Sequence, residues 1–377
     1  MKLEQAFAER FSRAPEGVWA APGRVNIIGE HTDYNDGYAL PMALPHNTFA
    51  AVARREDHRL ELTSVQQPGE GARVALADLS PGTPSGWAAY PAGVLHQFRM
   101  AGHALGGISI LVDGRVPMGA GLSSSAALEC SVALAVRDLF DLPYDLDQLV
   151  EVARGAENAF VGAPTGMMDQ SASLLCRPGH ALFLDARDRS TFQVPFDLAA
   201  SGLALLVCDT GTPHALLDGQ YGNRRQECFD AAAALGVPAL RDVDDLPALR
   251  GLDETLRRRA RHVVTENARV LSTLQVLQSG ADPRAIGAIL TAGHRSLRDD
   301  FEISTTALDA CVDSALQAGA HGARMVGGGF GGSAIALVDA QSADAVEARV
   351  QHTMQQSGFD PPRVFHAVPS PGAHRVG

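Results

Sequence analysis

Residues 22–44 read Pro-Gly-Arg-Val-Asn-Ile-Ile-Gly-Glu-His-Thr-Asp-Tyr-Asn-Asp-Gly-Tyr-Ala-Leu-Pro-Met-Ala-Leu. Two largely apolar runs, 25–28 and 39–44, flank a polar block at 30–36 that contains three carboxylates. Such a block between two strand-like runs is typical of an exposed hairpin turn, or of a ligand site held by a rigid frame. The triplet Asn35-Asp36-Gly37 favours a turn, so the block alone leaves both interpretations open.

The composition limits the class of protein. A chain of 377 residues, 46% of them hydrophobic, can bury a large core, and its length predicts more than one domain. The net charge of −12 makes nucleic acid and anionic membranes unfavourable partners. The five cysteines are scattered and form no Cys-x-x-Cys pair, which argues against disulfides and zinc and favours a reducing cytoplasm. No apolar run approaches the ~20 residues that a membrane-spanning helix needs.

The distribution of lysine excludes two classes of phosphate-binding protein. Lys2 is the single lysine of the chain, and every other basic side chain is arginine or histidine. A P-loop requires a lysine beside its Ser or Thr, and a protein kinase requires a lysine on a strand. Neither class fits, and Schiff-base chemistry is excluded unless Lys2 performs it.

The hydrophobic pattern predicts mixed strands and helices at first and mostly helices later. Short strands are predicted at 18–20 and 25–28, and an irregular segment rich in Pro, Gly and Ser at 66–86. A domain boundary is expected near 193–202, because the pattern becomes largely helical beyond it.

A loop rich in glycine and serine at 116–125 follows a predicted strand and reads Val-Pro-Met-Gly-Ala-Gly-Leu-Ser-Ser-Ser. It opens a nearly all-apolar helix at 124–140, whose composition predicts burial on most sides. Helix N-termini offer free N–H groups and bind phosphate, and Gly119 and Gly121 let the backbone come close. A simple serine N-cap is the alternative. Three consecutive serines exceed what capping needs, so we favour phosphate.

A second glycine cluster at 327–332 reads Gly-Gly-Gly-Phe-Gly-Gly and formally matches the dinucleotide-binding pattern. That pattern should open a helix, whereas residues 333–338 read as a strand. The sequence therefore predicts a glycine turn between two strands, whose backbone can approach a bulky ligand.

Two further carboxylates are candidates for chemistry. Glu157 falls on the apolar stripe of a helix predicted at 147–160, where a carboxylate must be paired, neutral or bound to a metal. A buried ion pair is the alternative to a functional role. Asp169 stands in a loop that contains Gly and Pro, where it would either cap the next helix or work with a cationic partner. Arg24 is the candidate partner.

These segments together resemble a known family. The run 23–34 resembles the signature of galactokinases, and 117–127 is similar to the ATP-binding loop of the wider GHMP kinases, such as homoserine and mevalonate kinases. The cluster at 327–332 resembles the third motif of those kinases. Three further segments resemble galactokinase segments: 157–170, 221–228 and 294–301.

The resemblance implies an α+β GHMP kinase fold of two domains, 1–195 and 196–377, with the active site in the cleft between them. The first domain would resemble ribosomal protein S5 domain 2, and the second would be ferredoxin-like. The implied reaction transfers the γ-phosphate of ATP to the C1 hydroxyl of α-D-galactose, the first committed step of galactose catabolism. The expected partners are ATP, Mg²⁺ and galactose, and a cytoplasmic monomer is the expected state.

Matched by position, Asp169 is implied to be the catalytic aspartate and Arg24 its partner, while Ser125 and Glu157 are implied to hold Mg²⁺. A loose transition state leaves open whether Asp169 removes a proton or positions and compensates charge. Sugar contacts are implied for Glu30, His31, Thr32, Asp33, Gly166 and Tyr221. ATP contacts are implied for Ser64, Trp87, Gly119, Ala120, Gly121, Leu122, Ser123, Ser124, Ser125, Gly328 and Gly329.

Two alternatives remain open at this point. A non-enzymatic sugar sensor could share the fold, although a sensor would be free to lose Arg24, Asp169 or the serine loop. Another substrate of the same kinase class, such as N-acetylgalactosamine or arabinose, is the second alternative.

Overall fold

The structure, a computed structural model, describes residues 2–212 and 217–376. The elements of the first half are α1 Leu3–Phe11, β1 Gly17–Asn26, β2 Tyr38–Ala39, β3 Pro41–Arg55, β4 Arg59–Ser64, β5 Ala72–Ala75, α2 Ala89–Met100, β6 Gly107–Gly114, α3 Ser124–Leu139, α4 Leu146–Gly155, α5 Met168–Leu175, β7 His180–Asp185 and β8 Ser190–Pro195. Those of the second half are β9 Leu203–Asp209, α6 Leu217–Leu235, α7 Glu254–Gln278, α8 Ile286–Asp299, α9 Thr306–Gln317, β10 Gly322–Val326, β11 Ser333–Asp339, α10 Ala343–Gln356, β12 Arg363–Ala367 and β13 His374–Val376.

The first sheet has six strands in the order β13-β1-β3-β6-β4-β5. Its strands pair antiparallel except β4 and β6, which are parallel. Helix α3 packs against β1 and β3, and its residues 126–136 are all buried, as the apolar sequence predicts. Burial of this helix fixes the position of its N-terminus and of the glycine loop that precedes it.

The second sheet has four strands in the order β10-β11-β9-β12, and a third sheet contains β2, β7 and β8. Strands β10 and β11 pair antiparallel up to Val326 opposite Ser333, so the second glycine cluster is a hairpin turn, as predicted. One apolar cluster contains Ile27, Leu122 and Val326. The polar block and both glycine segments therefore rest on a shared core.

The polar block lies in the connection between β1 and β3, which pair antiparallel as far as Asn26 opposite Pro41. It folds as a single 3₁₀ turn at Asp33–Asn35, after which Asp36 adopts a left-handed φ of 58°. Left-handed backbone is tolerated by aspartate in turns. The turn predicted from the sequence is therefore present within the block.

Three local expectations were wrong. The strands predicted at 18–20 and 25–28 merge into β1, which continues through a register shift near Pro22 and ends at Asn26. The segment 66–86 contains β5, an edge strand of only four residues, which is too short to show an alternating pattern among the surrounding Pro, Gly and Ser. Asp169 lies in the first turn of α5 rather than in a loop, because the Gly and Pro residues end just before the helix begins.

Strand β13 returns to the first sheet beside β1. The domain limits of 1–195 and 196–377 remain a prediction. Within residues 2–212 and 217–376, no helix combines the length and the apolar character needed to cross a membrane.

Candidate active site

A cleft of about 560 Å³ opens where the polar block, the first glycine loop, α5 and the glycine hairpin meet. Its lining includes these residues predicted for the site: Arg24, Glu30, His31, Asp33, Gly119, Gly121, Leu122, Ser123, Ser124, Ser125, Glu157, Gly166, Asp169, Tyr221 and Gly328. The fold thus collects into one cleft side chains from both halves of the chain.

Five predicted residues lie outside this lining: Thr32, Ser64, Trp87, Ala120 and Gly329. The Thr32 hydroxyl lies 2.8 and 2.7 Å from the carbonyl oxygens of Gly29 and Tyr38 and braces the block from behind. The Trp87 indole N–H donates to the Glu70 carbonyl at 2.8 Å. The ATP contacts implied for Ser64 and Trp87 remain predictions.

Arg24 and Asp169 form the predicted pair. The Arg24 Nε donates to Asp169 Oδ1 at 2.8 Å, and its Nη1 donates to the Gly121 carbonyl at 2.7 Å. The Ser123 hydroxyl donates to the other oxygen, Asp169 Oδ2, at 2.5 Å. Arg24 is buried in β1, so the guanidinium is held between the glycine loop and the carboxylate of α5. These charge-assisted bonds fix the Asp169 carboxylate in the cleft, between β1 and the first glycine loop.

The first glycine loop leaves the N-terminus of α3 uncapped by a side chain. Gly119, Gly121 and Ser123 have φ values of 72°, 71° and 59°. Ser123 occupies the N-cap position, yet its hydroxyl makes no capping bond and reaches Asp169 instead. The simple capping role considered for the serines is therefore absent at Ser123. Ser123, Ser124 and Ser125 at this helix end line the cleft, and the free N–H groups of a helix N-terminus suit an anion.

Asp33 joins the polar block to α5. Its Oδ2 accepts from the Met168 backbone N–H at 3.2 Å, and its Oδ1 accepts from the Tyr34 N–H at 3.0 Å. Burial, and to a lesser extent the charge of Asp169, raises the pKa of Asp33. A Cβ added at Gly166 would lie 1.8 Å from Asp33 Oδ2. Glycine at 166 is therefore what allows this carboxylate to reach the start of α5.

Replacing Gly166 by alanine should lower kcat/KM for the kinase reaction expected from the sequence by about 100-fold, because the methyl group displaces Asp33 and with it the start of α5. The open space around Gly251 makes Gly251→Ala a matched control. Steady-state kinetics on both variants are the measurement. If kcat/KM of Gly166→Ala equalled that of the control variant, the close approach of Asp33 to Gly166 would not be needed for activity.

Glu30 is buried at the back of the cleft with both oxygens engaged. Its Oε1 accepts from the Gly327 N–H at 3.1 Å. Its Oε2 accepts from Asn26 Nδ2 at 2.9 Å and from the Arg324 guanidinium at 2.6 Å. Burial raises the pKa of Glu30 to about 7, against the attraction of Arg324, and the nearby charge of Glu266 adds to the rise.

His31 forms the wall beside Glu30. Its Nε2 lies 3.3 Å from the Gly328 carbonyl, and its Nδ1 lies 2.6 Å from the Tyr34 hydroxyl. Because a carbonyl can only accept, Nε2 carries the proton and Nδ1 accepts from Tyr34. Burial lowers the pKa of His31 to about 3, which keeps the ring neutral. The Tyr221 ring packs 5.1 Å from the His31 ring. A hydrogen bond from His31 to a sugar would have to replace its long bond to Gly328.

Glu157 is buried, as its place on the apolar stripe predicts, and it lies in one turn of π-helix at Ala156–Val161 that follows α4. Its Oε2 accepts from the Thr165 hydroxyl at 2.9 Å and from Gln170 Nε2 at 2.6 Å. Both donors are neutral, and no arginine or lysine of the described residues pairs with Glu157. The buried ion pair considered as an alternative is therefore absent there.

The residues around Glu157 fit a hard divalent cation. Ser125 hydrogen-bonds to Glu157, while burial and then the charge of Asp169 raise the pKa of Glu157. A buried carboxylate beside a second negative charge is stabilised by a bound cation. No cluster of three or more His, Cys, Asp or Glu arranged for a metal occurs in residues 2–212 and 217–376. A site with only one or two protein ligands is typical of Mg²⁺, because this ion usually keeps waters and substrate phosphates as its other ligands.

Sequence reasoning missed two buried charged residues at this site. Arg324, from β10, pairs with Glu30. Glu129 is wholly buried in α3 and accepts from Gln170 Nε2 at 3.2 Å, beside Glu157. A signal for Glu129 was available, because it is a carboxylate in an apolar helix one turn after Ser125. No comparable signal marks Arg324, whose partner lies far away in the sequence.

Three family models match the chain. The model of the N terminal domain of GHMP kinases matches residues 89–177, and that of their C terminal domain matches 274–356. The model described as the galactokinase galactose-binding signature matches residues 5–54.

Curated relatives and solved structures agree with these matches. A galactokinase of Streptomyces coelicolor is 55% identical over 377 residues, which cover 99% of this chain and 97% of that protein. A galactokinase of Mycobacterium tuberculosis is 44% identical, with 94% of this chain and 98% of that protein covered. The crystal structure of Lactococcus lactis galactokinase complexed with galactose has a TM-score of 0.94 at 32% identity, with 99% of both chains covered.

The fold is thus that of a GHMP kinase. The crystal structure of the mevalonate kinase of Methanococcus jannaschii supports the fold alone, with a TM-score of 0.68 at 14% identity. The match covers 94% of this chain and 98% of that one. The chain belongs to the galactokinase family. The family, the two-domain α+β fold and the class of ATP-dependent sugar kinase predicted from the sequence are therefore confirmed.

Proposed function

We propose that this chain transfers the γ-phosphate of ATP to the C1 hydroxyl of α-D-galactose. The observation that carries the proposal is the Arg24–Asp169–Ser123 contact, which joins β1, α5 and the glycine loop in the cleft that the polar block also lines. The galactose that the Lactococcus lactis relative binds supports the choice of sugar.

The sugar would lie against the polar block. Carboxylates accept hydrogen bonds from neighbouring hydroxyls, so Glu30 and Asp33 can read the arrangement of those hydroxyls. A sugar that leaves one of these carboxylates without its hydrogen bond is penalised. Tyr221 and His31 close the side of the cleft with their rings.

The transferring phosphoryl group would lie between Asp169 and the N-terminus of α3. Asp169 is placed to orient the C1 hydroxyl and to accept its proton. Arg24 supplies positive charge where negative charge is shared among the phosphoryl oxygens. Ser123 would exchange its bond to Asp169 for contacts with the nucleotide. Ser124, Gly119 and Gly121 belong to the same loop and also line the cleft.

The residues that would hold Mg²⁺ are Ser125 and Glu157. The bound ion would neutralise charge on the phosphates of ATP. Thr165 and Gln170 fix the Glu157 carboxylate through its Oε2, so the ligand is oriented before any substrate arrives. The cytoplasmic location and the monomeric state expected from the sequence remain predictions.

Comparison of kcat/KM for galactose with that for N-acetylgalactosamine and arabinose tests the proposed substrate. We expect galactose to give the highest value in an assay coupled to ADP release. A preference for N-acetylgalactosamine would overturn the substrate while leaving the residue roles intact. Galactose binding without any turnover would support the sugar-sensor alternative and overturn the enzymatic proposal.

Galactose affinity should depend on pH through Glu30. Burial raises the pKa of Glu30 to about 7, so the carboxylate is ionised above that pH and protonated below it. If only the ionised form accepts the sugar hydroxyl, the Kd for galactose rises about tenfold from pH 8 to pH 6. Calorimetric titration without ATP measures this dependence. The variant Glu30→Gln should bind more weakly and lose the slope, and an unchanged slope in that variant would assign the dependence to another group.

A further inference from the structure

Arg324 is a fully buried arginine of β10 that contacts the polar block from behind. Its Nη2 lies 2.6 Å from Glu30 Oε2, and its Nη1 lies 3.0 Å from Glu266 Oε1 on α7. The same guanidinium lies 3.3 Å from the Ile27 carbonyl and 3.2 Å from that of Met325. We propose that Arg324 and Glu266 are positioning residues that set the orientation in which Glu30 accepts a galactose hydroxyl, an inference that rests on the proposed function.

The backbone on either side of Glu30 is held by α7. Glu266 Oε1 accepts from the Gly29 N–H at 3.0 Å. Two contacts of His262 complete this support: its Nε2 lies 3.1 Å from the Glu30 carbonyl, and its Nδ1 lies 3.0 Å from the Ser296 hydroxyl. Gly29 has a φ of 101°, and a Cβ there would lie 2.5 Å from the Tyr38 carbonyl. The main chain at Glu30 therefore has little freedom to move.

The Glu30 side chain is constrained to the same degree. An ionised carboxylate offers about four acceptor positions, and three are filled by Gly327, Asn26 and Arg324. About one position is left for a ligand, and Glu30 lines the cleft. With Arg324 bound in this way, Glu30 can accept a hydrogen bond from a sugar hydroxyl in only one orientation.

The charges of this buried cluster balance. Arg324 and Arg269 face Glu30 and Glu266, and Arg269 Nε lies 2.7 Å from Glu266 Oε2. The two arginines hold the pKa of Glu266 well below its usual range. Burying such a cluster often stabilises a protein no more than apolar packing does, whereas removal of one partner leaves an uncompensated charge. A role in orienting Glu30 explains why the cluster stands directly behind the cleft.

A purely structural role is the competing explanation, and a double variant separates the two. Arg324→Met leaves Glu30 and Glu266 facing one arginine, so both the melting temperature and the galactose affinity should fall. Adding Glu266→Gln restores the charge balance with Arg269 and keeps an acceptor for the Gly29 N–H. The double variant should therefore recover most of the melting temperature without recovering galactose affinity.

The experiment measures the Kd for galactose by calorimetry without ATP, together with KM for each substrate, kcat and the melting temperature. We expect the Kd for galactose to rise about 10- to 100-fold in Arg324→Met and in the double variant. The KM for ATP should change far less. Arg259→Met is the matched control, because Arg259 is a buried arginine of α7 with two carboxylate partners, Glu227 and Glu302. It should lose stability but keep the Kd for galactose within about threefold.

Recovery of wild-type galactose affinity together with melting temperature in the double variant would overturn the proposal. An unchanged Kd in folded Arg324→Met would do the same. Failure of the wild-type chain to bind galactose would instead contradict the proposed function, so the two failures are distinguishable.

Discussion

Replacing Asp169 by alanine is expected to lower kcat by at least about 10³-fold while galactose still binds. The carboxylate is the meeting point of Arg24 Nε and the Ser123 hydroxyl, at 2.8 and 2.5 Å. Its loss removes the acceptor for the C1 hydroxyl proton and frees Arg24 from its position beside the phosphoryl group. The sugar contacts proposed for Glu30 and Asp33 do not require this carboxylate, so galactose affinity should change little.

A matched control for this variant is Asp138→Ala. Asp138 is an aspartate of α3 that accepts from the Trp19 indole N–H at 2.7 Å, and it does not line the cleft. Its removal should affect stability but leave kcat near that of the wild type. Asp169→Asn adds a second comparison, because it keeps the shape and removes the charge. If Asp169→Ala retained kcat within tenfold of the control, Asp169 would have no part in the chemical step.

Asp33→Ala should raise the Kd for galactose by about 100-fold and change the KM for ATP far less. Asp33 lines the cleft and lies directly against Gly166. It also accepts from the first N–H of α5, so the alanine variant loses one support of the helix that carries Asp169. A reduction of kcat is therefore expected in addition to the loss of sugar affinity.

Asp33→Asn separates these two effects. The amide oxygen can still accept from the Met168 N–H, whereas the charge that favours sugar hydroxyls is lost. We expect kcat to recover towards the wild-type value in this variant while galactose affinity stays low. If Asp33→Ala weakened galactose binding and ATP binding equally, the polar block would not be the part of the cleft that recognises the sugar.

The residues of this cleft differ in how visible they are in the sequence. The composition of the serine loop favours a phosphate, whereas the polar block that contains Asp33 is typical of a turn as well as of a ligand site. The buried helix α3 follows from its apolar sequence, and the glycine hairpin follows from the strand after it. Local pattern and local chemistry agree at these positions, so α3 and the hairpin could be predicted from the sequence, while the ligand roles stay predictions.

Other features depend on contacts between distant parts of the chain. The role of Arg324 requires Glu30 as a neighbour, and no spacing rule connects the two residues. The left-handed Ser123, whose hydroxyl turns to Asp169 instead of capping α3, depends on where α5 packs. Strand β13 has only three residues, and its pairing with β1 decides its conformation. Tertiary packing sets these features, and the sequence pattern does not record it.

Product analysis tests the central claim most directly. The chain is incubated with ATP, Mg²⁺ and galactose, and the product is identified by phosphorus and proton NMR. One ADP should form for each galactose consumed, and the phosphate should be on C1 in the α configuration, so that the reducing end of the sugar is lost. Phosphate on any other hydroxyl, or no ADP above the rate without galactose, would contradict the account.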